Sequence, residues 1–112
     1  MLFSTLFLYQ LIYTIYTVNF TLTGVSDYKN PELVISGYVD SNNKIVNSSQ
    51  TYTSATSSIK VIYNTSYTIS ATAKSYRAFY MYIGDTKYEQ SLYRELSKTG
   101  EIQTDTTFKI TD

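Results

Sequence analysis

"YTVNFTLTG", residues 16–24, sets the fold class of this chain. Tyr16, Val18, Phe20 and Leu22 alternate with Thr17, Asn19, Thr21 and Thr23. Successive side chains of an extended backbone point to opposite faces, so this is a strand with one apolar and one polar face. Gly24 ends it.

On the N-terminal side the pattern changes phase. Odd positions 1–15 read Met, Phe, Thr, Phe, Tyr, Leu, Tyr, Ile, and even positions are mixed; from Tyr16 onward the even positions are the apolar ones. No ionised side chain occurs before Asp27. One strand cannot keep a single face buried through such a slip without a bulge, whereas two segments serving two cores can. The division is therefore an apolar assembly segment, 1–15, and a sandwich domain, 16–112. Four readings of residues 1–15 compete. As a donor strand they complete a neighbouring subunit by β-augmentation. As a helix, with Ser4, Gln10, Thr14 and Thr17 on one face, residues 1–17 span about 25 Å, short for a membrane span but sufficient for the stalk of a type IV-like pilin. A membrane partner follows only if residues 1–18 are helical. A signal peptide lacks its basic start and its small-residue cleavage site here. The plainest reading is an ordinary first strand of the chain's own core. The donor reading makes Phe3, Phe7, Tyr9, Leu11, Tyr13 and Ile15 the assembly interface. Apolar side chains left in water forgo roughly 1.5–3 kcal/mol each, and a terminal segment frays unless it is tied down. A second copy of the chain is the economical cover.

On the C-terminal side the segments are again short and strand-like. "SDYKNP" (26–31) reads as a loop, "ELVISGYVD" (32–40) as a central strand and "SNN" (41–43) as a turn. "KIV" is a short strand, and "NSSQTYTSATSS" (47–58) a polar edge or loop. "SIKVIY" (58–63) follows, then the turn "NTS", then "YTISATA" (67–73) with Tyr67, Ile69, Ala71 and Ala73 on one face. "YRAFYMYI" (76–83) is broken by Gly84–Asp85, and the end places Ile102, Phe108 and Ile110 together. One segment departs from this pattern. In "TKYEQSLYRELSKTG" (86–100), Thr86 and Glu89 fit a capping box, Tyr88, Leu92 and Leu96 stand at helical spacing, and Gly100 suits a C-cap. This predicts a short helix near 87–98, with a hairpin turning at "SKTG" as its competitor. Short strands separated by polar turns otherwise predict an all-β, Ig-like sandwich.

Composition narrows the function. Nine basic and nine acidic residues cancel, leaving no electrostatic footprint for nucleic acid. Charged residues are 16% of the chain, against roughly 25% in an average soluble domain. Cys, His and Trp are absent, which removes disulfides, thiol chemistry, the commonest general base and the commonest metal ligand. Tyr, Thr and Ser occur thirteen, seventeen and fourteen times. Such hydroxyl richness suits a surface or an assembly, and AT-rich coding enriches Tyr as well. "DSNNK" (40–44) is no calcium loop, because Lys44 stands where an oxygen ligand is needed and no Gly follows. No cofactor, metal or catalytic residue is expected. Sequons begin at Asn19, Asn47 and Asn64. The last two fall in turns and are the better glycan acceptors.

"ISGYVDSNNKIVNSS" (35–49) followed by "VIYNTSYTISATAKSY" (61–76) resembles the prealbumin-like or carboxypeptidase-regulatory-like sandwich modules of microbial surface and filament proteins. Gly37-Tyr38-Val39 matches that family's Gly-x-Val strand, and Tyr67 leads a matching alternating strand. Ser75 stands where the family usually has Gly. The resemblance covers about forty residues. It implies a non-enzymatic surface or accessory module and carries no functional residues across. Pilin relatives that form Lys–Asn isopeptide bonds place the Asn on the last strand, and nothing after Asn64 is Asn here. The expectation is an extracellular, pilus- or thread-like filament subunit whose partner is itself. The alternatives are a virion surface or tail protein, or an adhesin or carbohydrate-binding module contacting a host surface or glycan.

Overall fold

The computed structural model describes residues 13–112 of the chain. In chain order the described strands are β1 (Ile15–Leu22), β2 (Tyr28–Ile35), β3 (Tyr38–Val39), β4 (Ile45–Val46), β5 (Gln50–Tyr52), β6 (Thr56–Ile62), β7 (Thr65–Ala73), β8 (Phe79–Ile83), β9 (Thr86–Gln90), β10 (Glu95–Ile102) and β11 (Thr106–Thr111). They build an all-β sandwich. One sheet has the order β6-β1-β11-β8-β9 and the other β10-β7-β2-β5, with β3-β4 as a separate hairpin. The chain crosses between the sheets repeatedly, and β1 pairs in parallel with β11 while the remaining ladders are antiparallel.

Alternation within each strand puts the core between the sheets. Val18 and Phe20 stand beside Phe79, Met81, Phe108 and Ile110 on the inner side of their own sheet, and Leu33, Ile35, Ile69 and Ala71 close the layer from the other. Each large side chain so buried contributes about 1.5–3 kcal/mol. The outer face of β1 keeps Thr17, Asn19 and Thr21 half exposed.

The segment at 87–98 is not a helix. It runs as β9, a tight turn and β10, and the two strands belong to different sheets. The helical spacing of Tyr88, Leu92 and Leu96 is local, whereas β10 gains a continuous ladder with β7 from Glu95↔Thr72 to Ile102↔Thr65. That ladder, and the inward packing of Tyr88 and Leu96 against the core, outweigh a capping box worth on the order of 1 kcal/mol. "SKTG" lies inside β10 rather than at a hairpin turn, and Gly100 is no C-cap. It faces Tyr67, whose ring atoms come within 2.8–2.9 Å of where a Cβ would stand.

Further boundaries move: the strand expected over 76–83 starts only at Phe79, and the end at 101–111 divides at 103–105, leaving Ile102 on β10 and Phe108 and Ile110 on β11. Residues 28–31 belong to β2, not to a loop, because Asn30 (φ 53) and Pro31 form a bulge opposite Ala71 of β7. A bulge is one of the few sheet positions that accept Pro, which has no ladder donor. The stretch 32–40 breaks at Ser36–Gly37 into β2 and β3. A Cβ on Gly37 would meet the Val46 carbonyl oxygen at 2.8 Å, so the hairpin closes only with glycine there.

Register also orients the sandwich. β1 enters at one end, where Ile15 stands opposite Ile62, and leaves at the other beyond Leu22. The entry end, or base, holds residues 13–14, 63–64, 84–85 and 103–105, with the β3–β4 loop 40–44 beside them. The opposite end, or tip, holds 23–27, 74–78 and 91–94. At the tip, Tyr28 is buried and its hydroxyl points at the Gly24 carbonyl (2.5 Å) and the Thr23 carbonyl (3.0 Å), the arrangement of a tyrosine corner.

Candidate functional site: the apolar base

Of the six side chains expected to mediate assembly, Phe3, Phe7, Tyr9 and Leu11 lie outside the described residues. Tyr13 and Ile15 lie at the base, 37% and 40% exposed. Their placement follows from the phase slip. With Val18 and Phe20 turned into the core, period-2 geometry turns position 15 outward.

The base adds residues that periodicity did not identify. Tyr63, 49% exposed, follows β6, and its N–H donates to the Thr14 carbonyl at 3.1 Å. Its ring sits 6.3 Å from that of Tyr16. The Tyr13 hydroxyl donates to the Asn43 carbonyl at 3.2 Å, which ties the incoming chain to the β3–β4 hairpin, where Ile45 is also exposed. Four large apolar side chains are thus displayed where the N-terminal segment enters. A Tyr next to a turn was the available signal for Tyr63; nothing local marked Ile45. The charged side chains in the loops of the base and its hairpin are Asp40, Lys44, Asp85 and Asp105, and Asp105 accepts the Thr17 N–H at 2.8 Å.

The sequons separate by environment. Asn47 is exposed between β4 and β5. Asn64 is exposed in a left-handed turn (φ 68), where its side-chain oxygen accepts from the Gln103 amide at 3.2 Å. Asn19 lies mid-strand in β1 and accepts the Ser58 N–H at 2.9 Å.

A cleft of about 430 Å³ opens between the β3–β4 hairpin and the start of β6, lined in part by Tyr38, Tyr52, Asp40, Ser58 and Lys60. Burial, and next the neighbouring Tyr38, raises the Tyr52 hydroxyl above the ordinary tyrosine range. Asp40 is already engaged by the Asn42 and Lys44 N–H groups, and Lys60 by the Thr17 hydroxyl. Among the described residues no group of acidic side chains is arranged to hold a metal ion, and no helix is long and apolar enough to cross a membrane. Compared with known protein families, curated proteins and solved structures, the chain matches none.

Proposed function

We propose that the protein is a non-enzymatic structural subunit of an extracellular, pilus- or thread-like filament, assembled through its apolar N-terminal segment. The carrying observation is the base. The sandwich core is closed by Val18 and Phe20, both essentially inaccessible, while Tyr13 and Ile15 of the same incoming chain stay outside it. If the segment continues extended, Phe3, Phe7, Tyr9 and Leu11 share that parity, and their apolar face finds its cover on another copy. A virion surface or tail protein would use the same contact in a closed shell or tube. The test is negative-stain microscopy and sedimentation of the full chain beside a chain lacking residues 2–12. Filaments from the first and monomers from the second are expected. Equal polymerisation of both would remove the N-terminal segment from the assembly.

A second reading, a carbohydrate-binding adhesin, draws on the cleft, where Tyr38 and Tyr52 offer stacking surface and Ser58 a hydroxyl beside them. Saturable glycan binding abolished by Tyr52→Ala, with no filaments at any concentration, would favour it.

A further inference from the structure

The tip carries a second exposed apolar patch. Val25, Tyr76, Leu92 and Tyr93 are 70%, 74%, 48% and 59% exposed. The rings of Tyr76 and Tyr93 meet edge to face at 5.4 Å. Leu92 and Tyr93 are consecutive left-handed residues, φ 64 and 61, a conformation in which bulky side chains are uncommon. The loops beneath are tied together. Tyr93 N–H donates to the Ser75 carbonyl (3.2 Å), Lys74 N–H to the Asp27 carbonyl (3.0 Å), and the Lys74 ammonium to the Val25 carbonyl (2.7 Å). The display is therefore held by backbone bonds rather than produced by a slack loop. Around it stand the exposed cations Lys74, Arg77 and Arg94, with the half-buried carboxylates Asp27 and Asp112 at the same end.

The long sides of the sandwich oppose association. The β6 edge is bulged opposite Asn19 and flanked by the β3–β4 hairpin. β5 pairs over three residues only. β9 carries Lys87 and Glu89 outward, and β10 turns Lys98 inward, with its ammonium 4.4 Å from the Tyr88 ring centroid. Bulges, short edge strands and inward charges are the devices by which sheets avoid edge-to-edge pairing. The two ends lack such devices.

Resting on the filament reading, we infer that the tip is the receiving half of the subunit contact, and that its occupant is the base of a second copy of this chain. Apolar side chains stand on both surfaces, and the charges lean in opposite senses: Lys74, Arg77 and Arg94 outnumber Asp27 and Asp112 at the tip, while Asp40, Asp85 and Asp105 outnumber Lys44 at the base. Tip and base are different surfaces at opposite ends, so the contact is heterologous and propagates instead of closing a dimer. The end of one small sandwich is a narrow platform, and a stable contact buries about 1,600 Å² in total. The apolar N-terminal residues supply the additional area.

The experiment uses full-length chains. The tip variant is Tyr76→Asp with Tyr93→Asp, and the base variant is Ile15→Asp with Tyr63→Asp. All four positions are exposed, and circular dichroism confirms that each variant folds. Wild-type chain is expected to form filaments, and each variant alone to remain monomeric at tenfold the wild-type critical concentration. An equimolar mixture retains one intact tip and one intact base, so it should sediment as a 1:1 dimer and grow no further. Filaments from the tip variant at the wild-type critical concentration overturn the tip contact while leaving assembly through the N-terminal segment standing. Two monomeric variants that give no dimer when mixed overturn it as well. Tip-dependent co-sedimentation of monomeric wild-type chain with phosphatidylcholine–phosphatidylglycerol vesicles would replace the second copy by a lipid surface. A wild-type chain that forms no assembly removes the subunit reading itself, and the tip contact with it.

Discussion

The side-chain oxygen of Asn19 accepts the backbone N–H of Ser58 at 2.9 Å. Between Val18↔Ile59 and Phe20↔Thr56, β6 spends two residues, Ser57 and Ser58, opposite Asn19 alone, and Ser58 takes φ 60. The bulge leaves a ladder donor without its backbone acceptor, and the polar face of β1 supplies one. An Asn at this position thus serves the sheet, although the sequence around it is also a sequon.

Asn19→Ala is expected to lower stability by about 1 kcal/mol, the usual net worth of one such bond. Asn19→Asp keeps an acceptor and loses less. Urea unfolding of the three proteins measures the difference; equal losses for Ala and Asp would mean that the acceptor oxygen contributes nothing. In a glycosylating host, peptide mass spectrometry should find Asn47 modified and Asn19 bare.

Stability should fall at both extremes of pH through one corner of the tip. The Ser26 hydroxyl and N–H both donate to Asp112, and the hydroxyl bond chiefly holds its carboxyl below the ordinary value of 3.8. A lowered folded pKa means a contribution present above the unfolded value and lost as pH drops through the folded one. Tyr28 has the opposite sense. Burial, and secondarily the charge of Asp112, raise its hydroxyl above 10.0, so its contribution is present below 10.0 and lost as pH climbs through the raised pKa. Thermal melts from pH 2 to 12 should show both flanks. Ser26→Ala should flatten the acid flank and Tyr28→Phe the alkaline one. An unchanged acid flank in Ser26→Ala would disconnect Asp112 from it.

Position 100 is expected to tolerate only glycine while Tyr67 stands opposite. A Cβ there would come within 2.6 Å of the Tyr67 hydroxyl oxygen and displace a ring packed 4.8 Å from Phe108. Gly100→Ala should cost about 1–3 kcal/mol, the range for overpacking a core. In a Tyr67→Ala background the same change should cost at least about 0.5 kcal/mol less. A double-mutant cycle with no coupling would show that the ring does not dictate this residue.

The parity of the N-terminal segment can be tested directly. If it binds extended, Leu11→Asp places an unpaired charge in an apolar contact and abolishes sedimentation, whereas Gln10→Asp leaves assembly near wild type. If it binds as a helix, Leu6→Asp is among the most damaging changes, since Leu2, Leu6, Tyr9, Tyr13 and Tyr16 then share a stripe. Equal losses at positions 10 and 11 would dismiss the one-faced strand.

The strands β1 and β7 were legible from the residues alone, because side-chain alternation is a property of the extended backbone and needs no partner, whereas the alternating end at 101–111 divides at 103–105 between β10 and β11 of different sheets. The same reasoning placed Ile15 on the face opposite Val18. What a strand pairs with is not a local property. The segment at 87–98 holds a helical spacing and a capping box, yet its second half finds β7, some twenty-five residues earlier in the chain, and a full ladder outweighs a local cap. The bulges at Ser58 and at Asn30–Pro31 exist only relative to the strands they face. The two apolar ends divide in the same way. Tyr13 and Ile15 followed from phase, while Tyr63 and Ile45 joined them through the β6–β7 turn and a hairpin. Leu92 and Tyr93 reached the tip through a left-handed turn between two sheets. Periodicity turned Tyr13 and Ile15 out of the core; only the topology decided which side chains join them and that the two apolar patches lie at opposite ends.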